Sequence, residues 1–431
     1  MNLFLMLFVS LWGESVFIYI CMVFLLFVKS SDYSLSAVAN FIEMDFVGWV
    51  LVMLSVWVVV LSVMSSMAIK NKSKLSSVFM MLNNSLLLFL MGSFVFSNYL
   101  MFYVSFECCL IPILLIILGW GYQPERAQAG IYLLFYTLFG SLPLFFFIMY
   151  LGDMYGGWYM YLGLSVEGSL VVCVMALLGF LVKFPMYGVH LWLLKAHVEA
   201  PVAGSMILAG VLLKLGGYGI LRFLPLLFGQ EEVFLWLGCF SLWGGLLMSF
   251  ICLRQMDMKL LIASSSVVHM SMCIVGLLVF SEWGMKGCVI MMLAHGVCSS
   301  GLFCLANIMY ERTSSRSMLL SKGLLNLMPT LSMFWFLLVM SNMAAPPSIN
   351  LLSELILIVS MISWSKNVIV VLGLISFFSA AYSLFLYSLS QHGAHILSKS
   401  GMKMTVLMEY LVIFLHWAPL NILILVGWSM V

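Results

Sequence analysis

Charged side chains are scarce in this sequence, since only 8% of its 431 residues are Asp, Glu, Lys or Arg while 64% are hydrophobic. A soluble domain carries roughly 25% charged residues, because its surface must face water. The scarcity of charge therefore excludes a single soluble domain and predicts an all-α membrane protein in contact with the lipid bilayer. The net charge of +2 is also too small to indicate nucleic-acid binding.

Motifs for metals and redox groups are lacking as well. The ten cysteines include no pair at CxxC spacing, which argues against an iron–sulfur or zinc site. The GGYG motif at 216–219 lies inside an apolar segment and follows no strand, so it predicts close helix packing rather than a dinucleotide loop. His190, His197 and Glu199 lack the HExxH spacing of a zinc protease. We therefore expect this chain to hold no metal and no cofactor.

The N-terminal segment has neither kind of common targeting signal. It is apolar up to Val28 with no positive charge before it, and the first arginine of the chain is Arg126. A secretory signal has a charged start and a shorter apolar run, and a mitochondrial presequence is rich in arginine. Together with 36 methionines and the extreme hydrophobicity, this pattern predicts synthesis inside an organelle.

Long apolar runs are what the sequence has instead. A transmembrane helix needs about 20 such residues, and the polar breaks between runs predict about thirteen transmembrane helices. With thirteen spans, twelve loop-side basic residues fall on one side and four on the other, which places the first side in the matrix or cytoplasm. The predicted spans are 3–28, 46–66, 75–96, 98–119, 129–152, 167–196, 201–223, 233–252, 259–280, 285–309, 329–363, 367–389 and 404–428.

Four charged residues lie near the middle of predicted spans: Glu107, Lys183, Lys214 and Glu354. An ionised group at mid-membrane costs about 2.5–3.5 kcal/mol on insertion scales, so these groups must be paired or hydrated within the bundle. Their position on four different spans indicates a proton relay. A static ion pair that holds helices together is the structural alternative.

Two histidines, His269 and His295, also lie at mid-span. For either one alone, a histidine that merely packs and hydrogen-bonds is the commoner case. Their place in the helix order, between the two lysines and Glu354, favours a part in the relay.

Prolines interrupt two of the predicted spans next to these charges. Pro185 follows Lys183 by two residues, and Pro346-Pro347 precedes Glu354 by two turns. A proline removes one helical hydrogen bond, and broken helices in membranes mark transport sites. Spans 3–7 and 8–12 then form two inverted five-helix repeats, each with its fourth helix broken. The predicted segments are 1–74 (two N-terminal helices), 75–223 (first half-channel unit), 224–389 (second half-channel unit) and 390–431 (C-terminal helix).

Nine sequence motifs lie between residues 42 and 390: GYQPER (121–126), FYTLFGSLP (135–143), VKFPMYGVHLW (182–192), KAHVEAP (195–201), LKLGGYG (213–219), SVVHM (266–270), AHG (294–296), NIMYER (307–312) and PPSINLLSE (346–354). Together they resemble the motifs of a known family, the mitochondrial NADH-ubiquinone oxidoreductase chain 4 proteins.

The resemblance implies a role for each of the six residues. Glu107 and Lys183 match the family's glutamate–lysine pair of the first half-channel, and Lys214 matches the central lysine of the next helix. His269 and His295 match central-axis histidines. Glu354 matches the acid on the second broken helix, which serves the exit half.

The resemblance also implies an antiporter-like fold and proton translocation within respiratory complex I of the mitochondrial inner membrane. The chain would then be a core subunit of NADH:ubiquinone reductase without a redox centre of its own. NAD, FMN, iron–sulfur clusters and ubiquinone would bind other subunits. Its partners would be the other membrane-arm subunits, the antiporter-like ones above all.

Two departures from the family pattern qualify the resemblance. The family usually has one more N-terminal helix, and Leu194 stands where it usually has proline, so the end of the sixth helix is expected to be less sharply turned. A sodium/proton antiporter and a purely structural scaffold of the arm are the alternative functions. A response to Na⁺ would favour the antiporter, and pumping without the central charges would favour the scaffold.

Overall fold

The protein is built from helices in the computed structural model, which describes residues 43–72, 75–160, 170–227, 229–394 and 405–430. Those ranges contain isolated bridges between Asn98 and Tyr159 and between Asp257 and Ser317. The helices are α1 Phe46–Ser65, α2 Met67–Lys72, α3 Ser76–Val95, α4 Tyr99–Cys108, α5 Leu110–Trp120, α6 Arg126–Tyr155, α7 Leu170–Lys183, α8 Leu191–Glu199, α9 Val202–Ile207, α10 Leu213–Phe223, α11 Glu231–Cys252, α12 Met258–Leu278, α13 Glu282–Thr313, α14 Leu324–Leu327, α15 Pro329–Asn342, α16 Ile349–Trp364, α17 Val368–Gln391 and α18 Leu407–Met430, with a π-helical segment at Leu208–Leu212 and a 3-10 turn at Leu224–Leu227.

Ten helical segments in these ranges are long and apolar enough to cross a membrane, and α7 and α16 are shorter apolar helices. The predicted all-α membrane fold is thereby confirmed. Every predicted span from 46–66 onward coincides, in its described residues, with one helix or with consecutive helical segments. The predicted span 3–28 lies outside the described residues, so the count of thirteen stays a prediction.

Both broken helices occur where proline predicted them. α7 ends at Lys183 and α8 begins at Leu191, while α15 ends at Asn342 and α16 begins at Ile349. Each break places a charged residue beside it, because Lys183 closes α7 and Glu354 lies in the second turn of α16.

Two backbone features depart from the regular helices that hydropathy predicts. The span 98–119 divides at Cys109 into α4 and α5, where Pro112 cannot donate to the carbonyl of residue 108. The span 201–223 contains the π-helical segment Leu208–Leu212. Pro112 predicts a bend in the first of these spans. Hydropathy reports how apolar a segment is and not its hydrogen-bond register, so the π-helical segment was not predicted.

The chain forms two compact units. Unit 1 contains the described residues up to Phe184 together with Glu199–Val233, and unit 2 contains Pro185–Val198 with the described residues from Phe234 onward. The predicted boundaries at residues 75, 224 and 390 stay a prediction.

Close helix contacts in unit 1 depend on glycine. A Cβ on Gly140 of α6 would lie 3.2 Å from the Cα of Gly179 on α7. A Cβ on Gly216 of α10 would lie 2.7 Å from the backbone nitrogen of Phe184. The predicted role of the GGYG motif in helix packing is confirmed, and this contact fixes α10 against the end of α7 that carries Lys183.

Unit 2 is centred on α13, which packs against α12, α16 and α18. The most apolar 18-residue window of this 32-residue helix is entirely buried. Small residues allow the close approach, since a Cβ on Gly284 would lie 2.2 Å from the carbonyl oxygen of Gly276 on α12. α13 therefore carries His295 through the interior of the unit.

Candidate functional site

Glu107 and Lys183 meet at two helix ends in unit 1. Glu107 is the penultimate residue of α4 and Lys183 is the last residue of α7. The Glu107 Oε1 and Lys183 Nζ atoms are 3.7 Å apart, with 18% and 4% of the two side chains exposed. The predicted pair thus comes together where two helices end, and backbone carbonyls at these ends can also accept hydrogen bonds from side chains.

The shorter polar contact of Lys183 is made with a neutral group and not with Glu107. Its Nζ donates a hydrogen bond to the carbonyl oxygen of Phe106 at 2.6 Å and lies 3.0 Å from the centre of the Phe106 ring. Glu107 Oε1 is buried and has no hydrogen-bond partner among the described residues. The carboxylate is therefore at ion-pair distance but outside hydrogen-bond range, so a small displacement can strengthen or weaken the pair.

Lys214 is fully buried and is held by its own helix. Its Nζ donates to the carbonyl oxygen of Ala209 at 2.5 Å. Ala209 belongs to the π-helical segment, and such single-turn irregularities are frequent at functional sites. The short hydrogen bond of this lysine is thus made to the backbone rather than to a carboxylate.

His269, His295 and Glu354 come together in unit 2. His269 Nδ1 is 3.5 Å from Glu354 Oε1, and the rings of His269 and His295 have their centres 5.6 Å apart. These three residues come from α12, α13 and α16. The contact between His269 and a buried carboxylate argues against the interpretation that both histidines merely pack.

Tyr382 on α17 completes this cluster and was not predicted. Its hydroxyl is 3.4 Å from His269 Nε2. If Nδ1 of His269 donates to Glu354, Nε2 accepts from the tyrosine, so one neutral tautomer satisfies both contacts. A tyrosine among other aromatic residues gave no sequence signal beyond its mid-span position.

Lys259 is one of the twelve basic residues that the predicted topology counts on the matrix side, yet its side chain is buried. It is the second residue of α12 and only 2% exposed, and its Nζ donates to the carbonyl oxygen of Val198 at 3.5 Å. Its ammonium also lies 5.8 Å from the centre of the Tyr310 ring. The sequence identified the end of the span correctly and missed that the side chain turns inward.

In the part of the chain that the structure describes, no group of three or more His, Cys, Asp or Glu side chains could hold a metal ion. The absence of cofactors from the chain as a whole stays a prediction.

Two family models together match most of the chain. The model described as "NADH:quinone oxidoreductase/Mrp antiporter, TM" matches residues 96–379, and the one described as "NADH-ubiquinone oxidoreductase chain 4, amino terminus" matches residues 1–93. The first match contains all six predicted site residues.

Relatives of similar length are recognisable by sequence. The chain is 50% identical to NADH-ubiquinone oxidoreductase chain 4 of Ceratitis capitata over 395 residues, which are 90% of this chain and 87% of that one. It is 46% identical to the protein of the same name from Locusta migratoria over 410 residues, or 94% and 92% of the two chains.

Solved structures share the fold. A chain of respiratory complex I from Thermus thermophilus with bound NADH superposes with a TM-score of 0.80 at 23% identity, covering 90% of this chain and 82% of that one. A chain of the membrane-bound sulfane sulfur reductase, an archaeal respiratory membrane complex, superposes with a TM-score of 0.82 at 18% identity, covering 95% and 71%.

Proposed function

Because this chain belongs to the NADH-ubiquinone oxidoreductase chain 4 family, we propose that it is a proton-translocating membrane-arm subunit of respiratory complex I. In that assembly it couples electron transfer in other subunits to proton movement across the inner mitochondrial membrane. NAD, FMN, iron–sulfur clusters and ubiquinone bind those other subunits, and its neighbours are antiporter-like chains. The observation that carries the proposal is the buried Glu107–Lys183 pair at two helix ends.

The energy that this pair can transmit matches the work of pumping. Two unit charges about 4 Å apart interact by about 4 kcal/mol at an effective dielectric constant of ~20. Moving one charge across ~150–200 mV takes about 3.5–4.6 kcal/mol. Closing or opening the Glu107–Lys183 contact is therefore sufficient to hold a proton on the lysine or to release it.

The cluster in unit 2 is suited to pass protons on. A carboxylate, two imidazoles and a phenol meet within the buried interior, and each can hold or donate a proton at a defined atom. We propose that Glu354 and His269 exchange a proton across their 3.5 Å contact. His295 and Tyr382 then position His269 and extend the path.

Replacement of Glu107 tests the proposal. Glu107→Gln keeps the shape but leaves Lys183 in low dielectric without its partner, so we expect proton pumping and coupled NADH oxidation to be abolished or severely reduced in a complex that still assembles. Lys183→Met should have the same effect. Glu107→Asp should retain part of the activity, because the charge remains. Proton translocation and NADH oxidation are measured in vesicles containing the assembled complex.

A matched control and a structural alternative complete the test. Glu125→Gln removes an exposed carboxylate at the start of α6 and should pump normally. A purely structural pair predicts misassembly of either single variant, since breaking a buried pair costs about 3–5 kcal/mol. It also predicts that a double apolar replacement restores pumping. Full pumping by Glu107→Gln, or rescue by the double replacement, would contradict the relay.

A sodium/proton antiporter is the second candidate, because the model matching residues 96–379 describes Mrp antiporters as well. Vesicles separate the two functions. Proton movement that is driven by NADH and independent of Na⁺ supports the proposal. Proton movement driven by a Na⁺ gradient without NADH would favour the antiporter.

A further inference from the structure

A buried histidine on the C-terminal helix has no part in the site described so far. His416 of α18 is fully buried, and its Nδ1 lies 2.8 Å from the carbonyl oxygen of Val412 on the same helix. A carbonyl only accepts hydrogen bonds, so Nδ1 carries the proton and donates. Nε2 is then left as an acceptor, and it has no hydrogen-bond partner among the described residues.

A glycine on α13 makes room for this imidazole. A Cβ on Gly301 would lie 3.1 Å from His416 Cβ and 3.1 Å from Leu338 Cδ1. The ring of His416 is therefore seated against the backbone of the helix that also carries His295, beside Leu338 of α15.

Trp335 of α15 carries a hydrogen-bond donor at about the same level along the helices as His416. The hydroxyls of Thr330 and Tyr410, near the starts of α15 and α18, are in contact. Further along, Asn421, with its amide oriented by its neighbours, donates to the carbonyl of Pro347. The helices α15 and α18 therefore run side by side in the same direction. At about 1.5 Å per residue, Trp335 lies about 7.5 Å beyond Thr330 and His416 about 9 Å beyond Tyr410. The fully buried Trp335 Nε1 is a donor without a partner in the described ranges.

A polar strip formed by the Leu338 carbonyl, Cys298, Ser341, Asn350 and Ser353 extends from the neighbourhood of His416 to the residue before Glu354. Leu338 offers its carbonyl oxygen to Cys298 Sγ at 3.6 Å, and Cys298 Sγ is 3.4 Å from Ser341 Oγ. Asn350 Nδ2 donates to the carbonyl oxygen of Ser341 at 2.7 Å, and Ser353 Oγ donates to that of Asn350 at 2.7 Å. Ser353 is the residue before Glu354.

The same strip holds one more unsatisfied group, the buried Oδ1 of Asn350, which lacks a hydrogen-bond partner in the described part of the chain. Two acceptors and one donor along one polar strip match the hydrogen bonds that ordered water makes in protein interiors. His295, Cys298 and Gly301 follow one another at i, i+3 spacing, so the strip stays on adjoining faces of α13.

We propose that His416 is a proton-holding residue on a second, hydrated branch of the unit 2 site, joined to Glu354 through Ser341 and Asn350. The branch points toward the end of unit 2 at which Arg312 pairs with Glu409. His416 takes a proton at Nε2 from water and returns it to water, while its Nδ1–H stays bonded to Val412. The inference rests on the proposed function, which it extends by one residue and one path.

Variants of His416 in the assembled complex test the branch. His416→Gln and His416→Leu remove the titratable nitrogen. A positioned proton-transfer group on the sole route contributes at least about 10²-fold. Because His416 lies on a second branch, we expect NADH-driven proton translocation to fall by less, about tenfold. Trp335→Phe removes only the indole N–H donor beside the branch and should cause a smaller fall. His392→Gln, at an exposed position after α17, is the matched control and should pump as the parent does.

Each outcome decides between the branch and a packing role. Normal pumping by assembled His416→Gln and His416→Leu, with pumping lost in Glu354→Gln, overturns the inference and leaves the proposed function intact. Full pumping by Glu354→Gln removes the proposed function itself. If neither His416 variant assembles, Trp335→Phe decides, because a packing role predicts normal proton translocation in that variant and the branch predicts a deficit.

Discussion

Lys183 and Lys214 are two buried lysines that are stabilised in different ways. Lys183 binds a carbonyl oxygen and a ring face of Phe106 and keeps Glu107 at 3.7 Å. Lys214 binds a carbonyl within its own π-helical segment. The Glu107 carboxylate therefore characterises the Lys183 site, because its distance from the Lys183 ammonium can be adjusted.

The hydroxyl of Tyr382 offers a test at the scale of a single residue. Tyr382→Phe leaves the ring in place and removes the contact with His269 Nε2. A neutral hydrogen bond contributes about 0.5–1.5 kcal/mol, so the rate of coupled proton transfer should fall by about two- to tenfold. Tyr387→Phe on the same helix is the control. An unchanged rate in Tyr382→Phe would remove Tyr382 from the path, and stopped turnover would make its role larger than positioning.

Helix interruptions place the functional groups in both units. Lys183 closes α7, Glu107 and Cys109 mark the break between α4 and α5, and Glu354 follows the break before α16. At such points the backbone carbonyls are free to bind side chains, as Phe106 binds Lys183. These helices are therefore interrupted at the points where charged side chains lie.

Glycine at the crossing of α7 and α10 gives the prediction for this scale. Gly216→Ala would bring a Cβ within 2.7 Å of the Phe184 nitrogen and 2.8 Å of the Phe180 oxygen, both backbone atoms that cannot move cheaply. We expect a loss of stability of about 1–3 kcal/mol from overpacking, against a gain below about 1 kcal/mol from helix propensity. The measurement is the thermal denaturation of the complex in detergent.

Gly373→Ala on α17 is the control for that substitution, because a Cβ there would meet no atom within 4 Å. It should be neutral or slightly stabilising. Equal stability of the Gly216→Ala and Gly373→Ala variants would show that α7 and α10 can separate without cost.

The distribution of charge predicts how the chain is oriented in the membrane. Basic residues collect on one side of the predicted topology, and exposed acids such as Asp153, Glu231 and Glu282 lie on the other. α11 joins the two sides, with Glu231 at its start and Arg254 just beyond its end. Its 22 residues are about 33 Å long, enough to cross the hydrocarbon core.

Single cysteines at the two ends of α11 test this orientation. An impermeant maleimide should label Arg254→Cys only from the matrix side and Glu231→Cys only from the opposite side. The parent protein gives the background, since its exposed Cys239 lies within the span. Labelling of both positions from the same side would contradict the predicted topology.

The sequence by itself determined the features that depend on local composition. Apolar runs located the helices, proline located both breaks, and the cost of burying charge singled out Lys183, Lys214, Glu107 and Glu354. The same rule applied to α18 would have singled out His416, a histidine at mid-span.

Only the tertiary structure decided which groups touch. Phe106 and Lys183 are 77 residues apart along the chain, and His269 and Tyr382 are 113 apart. Hydropathy carries no information about such pairs, because the rotation and depth of each helix are set by packing against its neighbours. For this reason the sequence could predict that Lys183 needs a partner, and the structure had to show that a backbone carbonyl is nearer to it than Glu107.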